Sequence, residues 1–269
     1  MIFFDGGNKI MKVKEIMTKE IIYVDKNHDL KHVLDLMKKH DITKIPVLED
    51  KKLFGIITDN VIAYKLGSIR KRSISTSRLH ASSVTEKEIS TISPTTDVKK
   101  ILKTVGQPGP TMLPVVDRDR LVGVITKADL LPLVNSKKTL RNLMQTIVFS
   151  VSPEDRVIHG RRIMIDEDVA RLPVVSQGKL VGIVSDFEIA CAFASLKKSF
   201  SLGHQKHQLD KLLIKDVMKA PVIWTTQSVT ATEAAKLMIK HNVGALPVIK
   251  DDTLVGIITR TDLLKTIPL

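Results

Sequence analysis

Four stretches of the chain share one alternation of apolar and polar positions: IPVLEDKKLFGIIT, LPVVDRDRLVGVIT, LPVVSQGKLVGIVS and LPVIKDDTLVGIIT. Each reads as two β-rich runs around a short polar turn, which predicts a hairpin. Upstream the period changes to 3.6, most clearly in TATEAAKLMIKHNV, where Ala231, Ala234, Ala235, Leu237 and Met238 can face a core. A short extended segment such as IIYVD or TIVFSV precedes that helix, and a second helix is predicted from near RTDLLKT. The unit is therefore β-α-β-β-α, and the chain is predicted to be an α+β protein of four such units.

Two anchors fix the register of the repeats. Pro46, Pro114, Pro173 and Pro247 each stand nine residues before Gly55, Gly123, Gly182 and Gly256. Met17, Met144 and Met218 each stand 29 residues before the proline of their own copy. The second copy lacks this methionine, yet Pro94 precedes Pro114 by the same 20 residues that separate Pro153 from Pro173. The glycines read as sites of close backbone or helix approach. Met17, Met144, Met218, Met37, Met164 and Met238 read as adaptable apolar packing. The resulting units span 10–67, 83–135, 137–195 and 212–269, with residues 65–90 and 195–211 as polar, basic surface crossovers. A unit of about 60 residues has only a thin core, so neighbouring units must pack together. The short interval LPLVNSKKTLRNLM divides the chain into pairs near 10–135 and 137–269.

Composition narrows the class. Across 269 residues, hydrophobic residues make up 43% and charged residues 26%, which excludes collagen-like and wholly disordered chains. The lone Cys191 forms no intrachain disulfide and suits a reducing compartment. The first residues lack a basic start followed by an apolar segment, and no window approaches a transmembrane span, so a soluble, cytoplasmic protein is expected. A formal net charge of +13 would attract anionic partners. Nucleotides, nucleic acid, acidic proteins and anionic membranes all satisfy that requirement.

The strand-to-helix passages carry the most informative chemistry. ITKADL, VSDFEI and ITRTDL place Thr126, Ser185 and Thr259 three residues before Asp129, Glu188 and Asp262. A hydroxyl and an acid at this spacing form a capping box, and an exposed helix start can also meet a ligand's hydroxyls or phosphate. The first copy departs from the pattern, because ITDNV puts Val61 at the acid position and leaves Asp59 as a cap or solvent contact.

The repeated LPVV....LVGIIT..DL pattern, the upstream IM and the helical EAAKLM together resemble the cystathionine-β-synthase (CBS) domain family over nearly the whole chain, roughly residues 13–269. The resemblance implies four CBS units packed as two Bateman pairs, which often bind adenosine-containing ligands in clefts between paired sheets. In repeat number the chain also resembles the nucleotide-sensing γ subunit of AMP-activated protein kinase. The family's ribose pattern maps onto Thr126 with Asp129 and Thr259 with Asp262, and Ser185 with Glu188 is a near match. Lys127 and Arg260 follow two of these hydroxyls and are candidate phosphate contacts, with solvent exposure as the alternative. Lys44 and Arg171, two residues before their prolines, could turn toward the same clefts. Adenine contacts are expected from the segments containing Ile22, Val148 and Val222, which could equally be core residues. Trp224 could flank a base or serve packing.

The expected function is an adenine-nucleotide-binding regulatory module without catalytic activity. AMP, ADP or ATP is the favoured ligand and S-adenosylmethionine less so, because its sulfonium cation gains less from a basic cleft. A homodimer and a regulated protein or enzyme are the expected partners. A basic scaffold or nucleic-acid-associated protein is the alternative, supported by SIRKRSISTSR and weakened by the presence of only two Tyr and one Trp. His204 and His207 lack a surrounding cysteine and acid framework, so no metal is expected. Neither a GxxxxGK[ST] loop nor a GxGxxG turn between strand and helix is present.

Overall fold

The computed structural model describes residues 11–67, 76–105, 112–199 and 211–268. His204, His207 and most of SIRKRSISTSR lie outside the described residues.

The first repeat contains β1 (Val24–Asp25), α1 (Leu30–His40), β2 (Lys44–Glu49), β3 (Lys52–Thr58) and α2 (Asp59–Gly67). The second contains α3 (Val98–Val105), β4 (Met112–Asp117), β5 (Arg120–Thr126) and α4 (Lys127–Leu130). The third contains α5 (Val157–Asp166), β6 (Arg171–Ser176), β7 (Lys179–Ser185) and α6 (Asp186–Ser199). The fourth contains β8 (Thr225–Thr226), α7 (Ala231–Lys240), β9 (Ala245–Lys250), β10 (Thr253–Thr259) and α8 (Arg260–Leu264). The expected leading strand shrinks to two residues in repeats 1 and 4, and to the single parallel bridges Ile92 with Val115 and Val151 with Val174 in repeats 2 and 3.

All four hairpins close identically. Glu49 pairs with Lys52, Asp117 with Arg120, Ser176 with Lys179 and Lys250 with Thr253, leaving two-residue loops. Both loop residues have positive φ, as a type I′ turn demands, although only Gly178 among them is glycine. A register shift follows just before each repeated glycine, so every hairpin carries one irregularity at the same place.

The described residues form two compact units, each drawing on alternate repeats. One takes the described residues of Met1–Ile21, Ile89–Val148 and Ile223–Leu269; the other takes Ile22–Glu88 and Phe149–Val222. The first is built around repeats 2 and 4, with Leu113, Ile125, Leu130, Ala234, Met238, Leu246, Ile258 and Leu263 in its core. The second is built around repeats 1 and 3, with Met37, Ile45, Ile57, Leu66, Leu172, Val184 and Phe193 in its core. Burying one such Leu, Ile or Phe side chain is worth about 1.5–3 kcal/mol, so each unit pools what no single repeat has. Ala231, Ala234, Ala235 and Met238 are buried and Leu237 packs against them, as the helical period predicted.

The segment leading into each repeat pairs with a different repeat. Thr18 bridges to Val124, Glu86 to Ile56, Gln145 to Ile257 and Lys219 to Ile183. The exchange is reciprocal between repeats 1 and 2 and between repeats 3 and 4, which agrees with two Bateman pairs. It also explains the two sequence anchors. A Cβ on Gly123 would stand 2.6 Å from the Met17 sulfur, and one on Gly256 2.6 Å from the Met144 sulfur. Met218 covers Gly182 in the same way, while Thr85 and the Glu86 carbonyl cover Gly55 where the methionine is missing. Methionine and glycine are thus two halves of one contact.

One expectation is corrected by this arrangement. The described part of 65–90 is not merely a surface crossover, because Leu79, Ala81 and Val84 are buried in the core of the repeat 1 and 3 unit.

Candidate functional site

At the end of three hairpins the chain passes directly from strand to helix, and the capping box forms. The Asp129 carboxylate accepts from the Thr126 backbone N–H and hydroxyl through Oδ2, both at 2.7 Å. Asp262 Oδ2 accepts from the Thr259 N–H at 2.9 Å and its hydroxyl at 2.6 Å. Glu188 Oε2 accepts from the Ser185 N–H at 2.9 Å and from the Ser185 hydroxyl. The extra methylene of Glu188 therefore does not prevent the local geometry. In repeat 1 the Thr58 hydroxyl accepts from the Val61 N–H at 3.2 Å, and the acid half is absent.

The residue after each leading methionine completes the arrangement. Thr18 donates to Asp129 Oδ1 at 2.9 Å, and Gln145 Nε2 lies 3.4 Å from both oxygens of Asp262. Lys219 Nζ pairs with Glu188 Oε1 at 3.0 Å. At Asp129 and Glu188 one carboxylate oxygen is thus held by the cap while the other faces an exposed polar side chain from another repeat, and at Asp262 the exposed Gln145 amide lies equally near both oxygens. Sequence reasoning missed Thr18, Gln145 and Lys219, although a constant offset of one from Met17, Met144 and Met218 marks them.

The basic candidates divide. Lys127 is only 8% exposed and donates to the Thr261 hydroxyl at 2.7 Å, because α4 packs against α8. It is therefore turned inward, which corrects the solvent-exposed expectation. Arg260 is half-buried and donates to Asn242 at 3.3 Å. Ile22, Val148 and Val222 are half-buried, and Trp224 is 51% exposed. Ile22 begins one unit's share of the chain, Val148 closes a segment of the other, and Val222 precedes the next exchange.

A second polar cluster lies inside the repeat 1 and 3 unit, where α2 and α6 pack together. Asp59 and Asp186 open these helices, and Arg161 from α5 pairs with Asp186 at 3.1 Å in a nearly dry environment. Loss of hydration pushes the Asp186 carboxyl up to about 6, with Arg161, Arg171 and Lys44 opposing and Asp59 reinforcing the rise. Asp59 is likewise raised, chiefly by desolvation, against the pull of Lys44 and Arg171. Asp59 is half-buried at the start of α2, and backbone N–H groups of that start also bond its carboxylate, so the cap expectation stands beside this acid pair. Lys44 and Arg171 are half-buried, and their electrostatic partners include this acid pair. In the repeat 2 and 4 unit the matching positions are Lys127 and Arg260, so the two units carry opposite charge at equivalent helix starts.

Among the described residues, no helix is long and apolar enough to cross a membrane, and no group of three His, Cys, Asp or Glu residues could hold a metal ion.

Comparison with known proteins agrees with the repeat structure. MJ1225 of Methanocaldococcus jannaschii is 24% identical over 96% of this chain and 98% of its own length. Its crystal structure, described as that of a candidate archaeal homologue of the γ subunit of AMP-activated protein kinase, superposes with a TM-score of 0.81, covering 95% of this chain and 99% of that one. MJ1404 of the same organism is 26% identical over 95% of this chain, which spans 61% of that protein. The structure of a conserved protein from Pyrococcus horikoshii is 23% identical with a TM-score of 0.58, covering 96% of this chain and all of that one. The CBS domain model matches residues 13–67, 81–136, 140–195 and 214–269. With four matched copies covering most of its length and each copy's leader bonded to another repeat, this chain belongs to the CBS domain family.

Proposed function

We propose that the protein is an adenine-nucleotide-responsive regulatory module that binds its ligand without covalent chemistry. The observation that carries this reading is the paired polar contact of Thr18 with Asp129 and of Gln145 with Asp262. At Asp129 the cap holds one carboxylate oxygen while the other meets an exposed hydroxyl, and at Asp262 an exposed amide faces both oxygens, an arrangement that suits the vicinal hydroxyls of a ribose. Thr126, Asp129, Thr259 and Asp262 would bind the sugar, with Ser185 and Glu188 as a third site. Arg260 is the phosphate candidate, and Ile22, Val148 and Val222 are the adenine-side candidates. AMP, ADP and ATP are favoured over S-adenosylmethionine by the formal net charge of +13.

Regulation would follow if the ligand bound one conformational state more tightly than another and so changed a surface seen by a protein partner or a second copy of this chain. MJ1225, which shares the fold, is described in terms of a kinase regulatory subunit, and that fits such a role. The same net charge also suits a nucleic-acid-associated scaffold. Calorimetric titration with AMP, ADP, ATP, S-adenosylmethionine and short DNA or RNA at matched ionic strength separates the readings. Saturable AMP, ADP or ATP binding that weakens in folded Asp129→Ala and Asp262→Ala variants supports the module. Binding of nucleic acid alone, falling steeply with salt, replaces it with the scaffold.

A further inference from the structure

Repeat 1 lacks the acid that the other three repeats place on the second helix, since Val61 stands where Asp129, Glu188 and Asp262 stand. The leader paired with repeat 1 is also unlike the others. Glu86 occupies the position filled by Thr18, Gln145 and Lys219, and the bridging pair of backbone hydrogen bonds is the same in all four, although the Glu86 carbonyl lies closer to its repeat's glycine than those of Thr18 and Gln145 do. Ile56 N–H donates to the Glu86 carbonyl at 3.0 Å and Glu86 N–H to the Ile56 carbonyl at 2.9 Å. The equivalent distances are 3.0 and 2.9 Å for Val124 with Thr18, 3.0 and 2.9 Å for Ile257 with Gln145, and 3.0 and 2.8 Å for Ile183 with Lys219. Side chains on backbones held in this register project in the same direction, and in three repeats that direction leads to the helix acid.

We infer that repeat 1 has a ribose-binding site in which Glu86 supplies the carboxylate from the opposite side to the usual acid. The chemistry is exchanged. Where the helix offers an acid, the leader offers Thr18, Gln145 or Lys219 as donor; where the helix offers Val61, the leader offers the acid. Thr58 retains its hydroxyl at the helix start, accepting from the Val61 N–H. Among the described residues, no hydrogen-bond donor engages the Glu86 side chain and no acceptor takes the Thr58 hydroxyl proton. A cis-diol bound there would donate one hydroxyl to Glu86 and accept with the other from Thr58. Gly55 fixes the approach, because any side chain there would strike the Glu86 carbonyl.

This inference rests on the adenine-nucleotide reading, and one experiment distinguishes their failures. Methyl NMR of the full chain is followed during AMP titration, with Ile56 and Val61 reporting on repeat 1, and Val124 and Ile257 on repeats 2 and 4. Saturable shifts at Ile56 and Val61 are expected in the wild type, weakened at least 10-fold in Glu86→Ala and Glu86→Gln. The double variant Glu86→Ala/Val61→Asp should recover binding by returning the acid to the helix. Shifts at Val124 and Ile257 without a response at Ile56 and Val61 overturn the repeat 1 site alone, as does a repeat 1 response that Glu86→Gln leaves unchanged. An AMP response nowhere in the chain overturns both readings.

Discussion

Thr18 and Asp129 lie 111 residues apart in the chain, yet the Thr18 hydroxyl donates to the Asp129 carboxylate at 2.9 Å. The contact exists because the leader of repeat 1 pairs with β5 of repeat 2, bringing its first polar residue to that repeat's helix start. Asp129 thus has two duties, closing the cap of α4 and facing the leader. Asp129→Ala removes both. The cap is worth about 1 kcal/mol of stability, readable by denaturant unfolding. Loss of a charge-assisted ribose contact should weaken AMP binding about 10- to 100-fold at this site. Thr18→Val leaves the cap intact and should change stability less than Asp129→Ala. Equal stability losses in the two variants would show that the cap contributes little.

The repeated glycines should differ in their tolerance of a methyl group. In Gly123→Ala the new Cβ meets the flexible Met17 side chain, whereas in Gly55→Ala it meets the backbone carbonyl of Glu86. Overpacking of this kind costs about 1–3 kcal/mol, and a side chain can yield where a bridged backbone cannot. Gly123→Ala/Met17→Ala should therefore be coupled in a double-mutant cycle, while Gly55→Ala/Thr85→Ala should recover little. Additivity in the Gly123 and Met17 cycle would contradict the contact.

Asp186 gives the fold a defined pH response. Its folded carboxyl is raised from 3.8 to about 6, so the native state binds more protons than the unfolded chain between those values. Its contribution is fully present below about pH 4 and is lost as pH rises through 6, a change of roughly 3 kcal/mol. Carboxyl NMR should place the Asp186 midpoint near 6. Arg161→Met should raise it further by removing the paired cation, and Asp59→Asn should lower it by removing the neighbouring anion. An unchanged midpoint in both variants would show that the two charges do not act on Asp186. Asp186→Asn should also flatten the unfolding free energy across this interval.

Lys219 separates repeat 3 from repeats 2 and 4. Its ammonium pairs with the outward Glu188 oxygen at 3.0 Å, so a ribose would have to compete with a charge. Lys219→Thr copies the leader of repeat 1 and should change stability by less than about 1 kcal/mol, because the lysine side chain is largely exposed. AMP affinity at repeat 3, followed through the Ile183 methyl, should rise in this variant. A fall would mean that the lysine assists the ligand instead of competing with it.

Cys191 should be slow to modify in the native state. Burial pushes its thiol up to about 11, with Glu188 adding to the rise, so the reactive thiolate is scarce near neutral pH. Alkylation should accelerate sharply on addition of denaturant. Equal rates in folded and unfolded protein would contradict this burial.

The hairpins, the amphipathic α7 and the capping boxes were legible in the sequence because each depends on residues only a few positions apart. The leaders were harder to read. Met17 and Gly123 were both visible as regular features, but nothing in either residue says that one rests on the other. Lys127 shows the same limit: adjacent to Thr126 it resembles an exposed helix-start cation, and only the packing of α4 against α8 turns it toward Thr261. Asp59 stands at its helix start as the sequence suggests, and only the packing of α2 against α6 places it near Asp186.

By itself, the sequence determined four β-α-β-β-α units, their hairpin turns and the hydroxyl and acid pairs at their helix starts, since periodicity, turn chemistry and capping are short-range effects. Only the tertiary structure decided which leader meets which repeat, and so which side chain faces each carboxylate. The physical reason lies in the repetition: four nearly equivalent glycines and backbone edges offer the same hydrogen bonds to any leader. The choice among them belongs to the path of the chain and the joint burial of two cores.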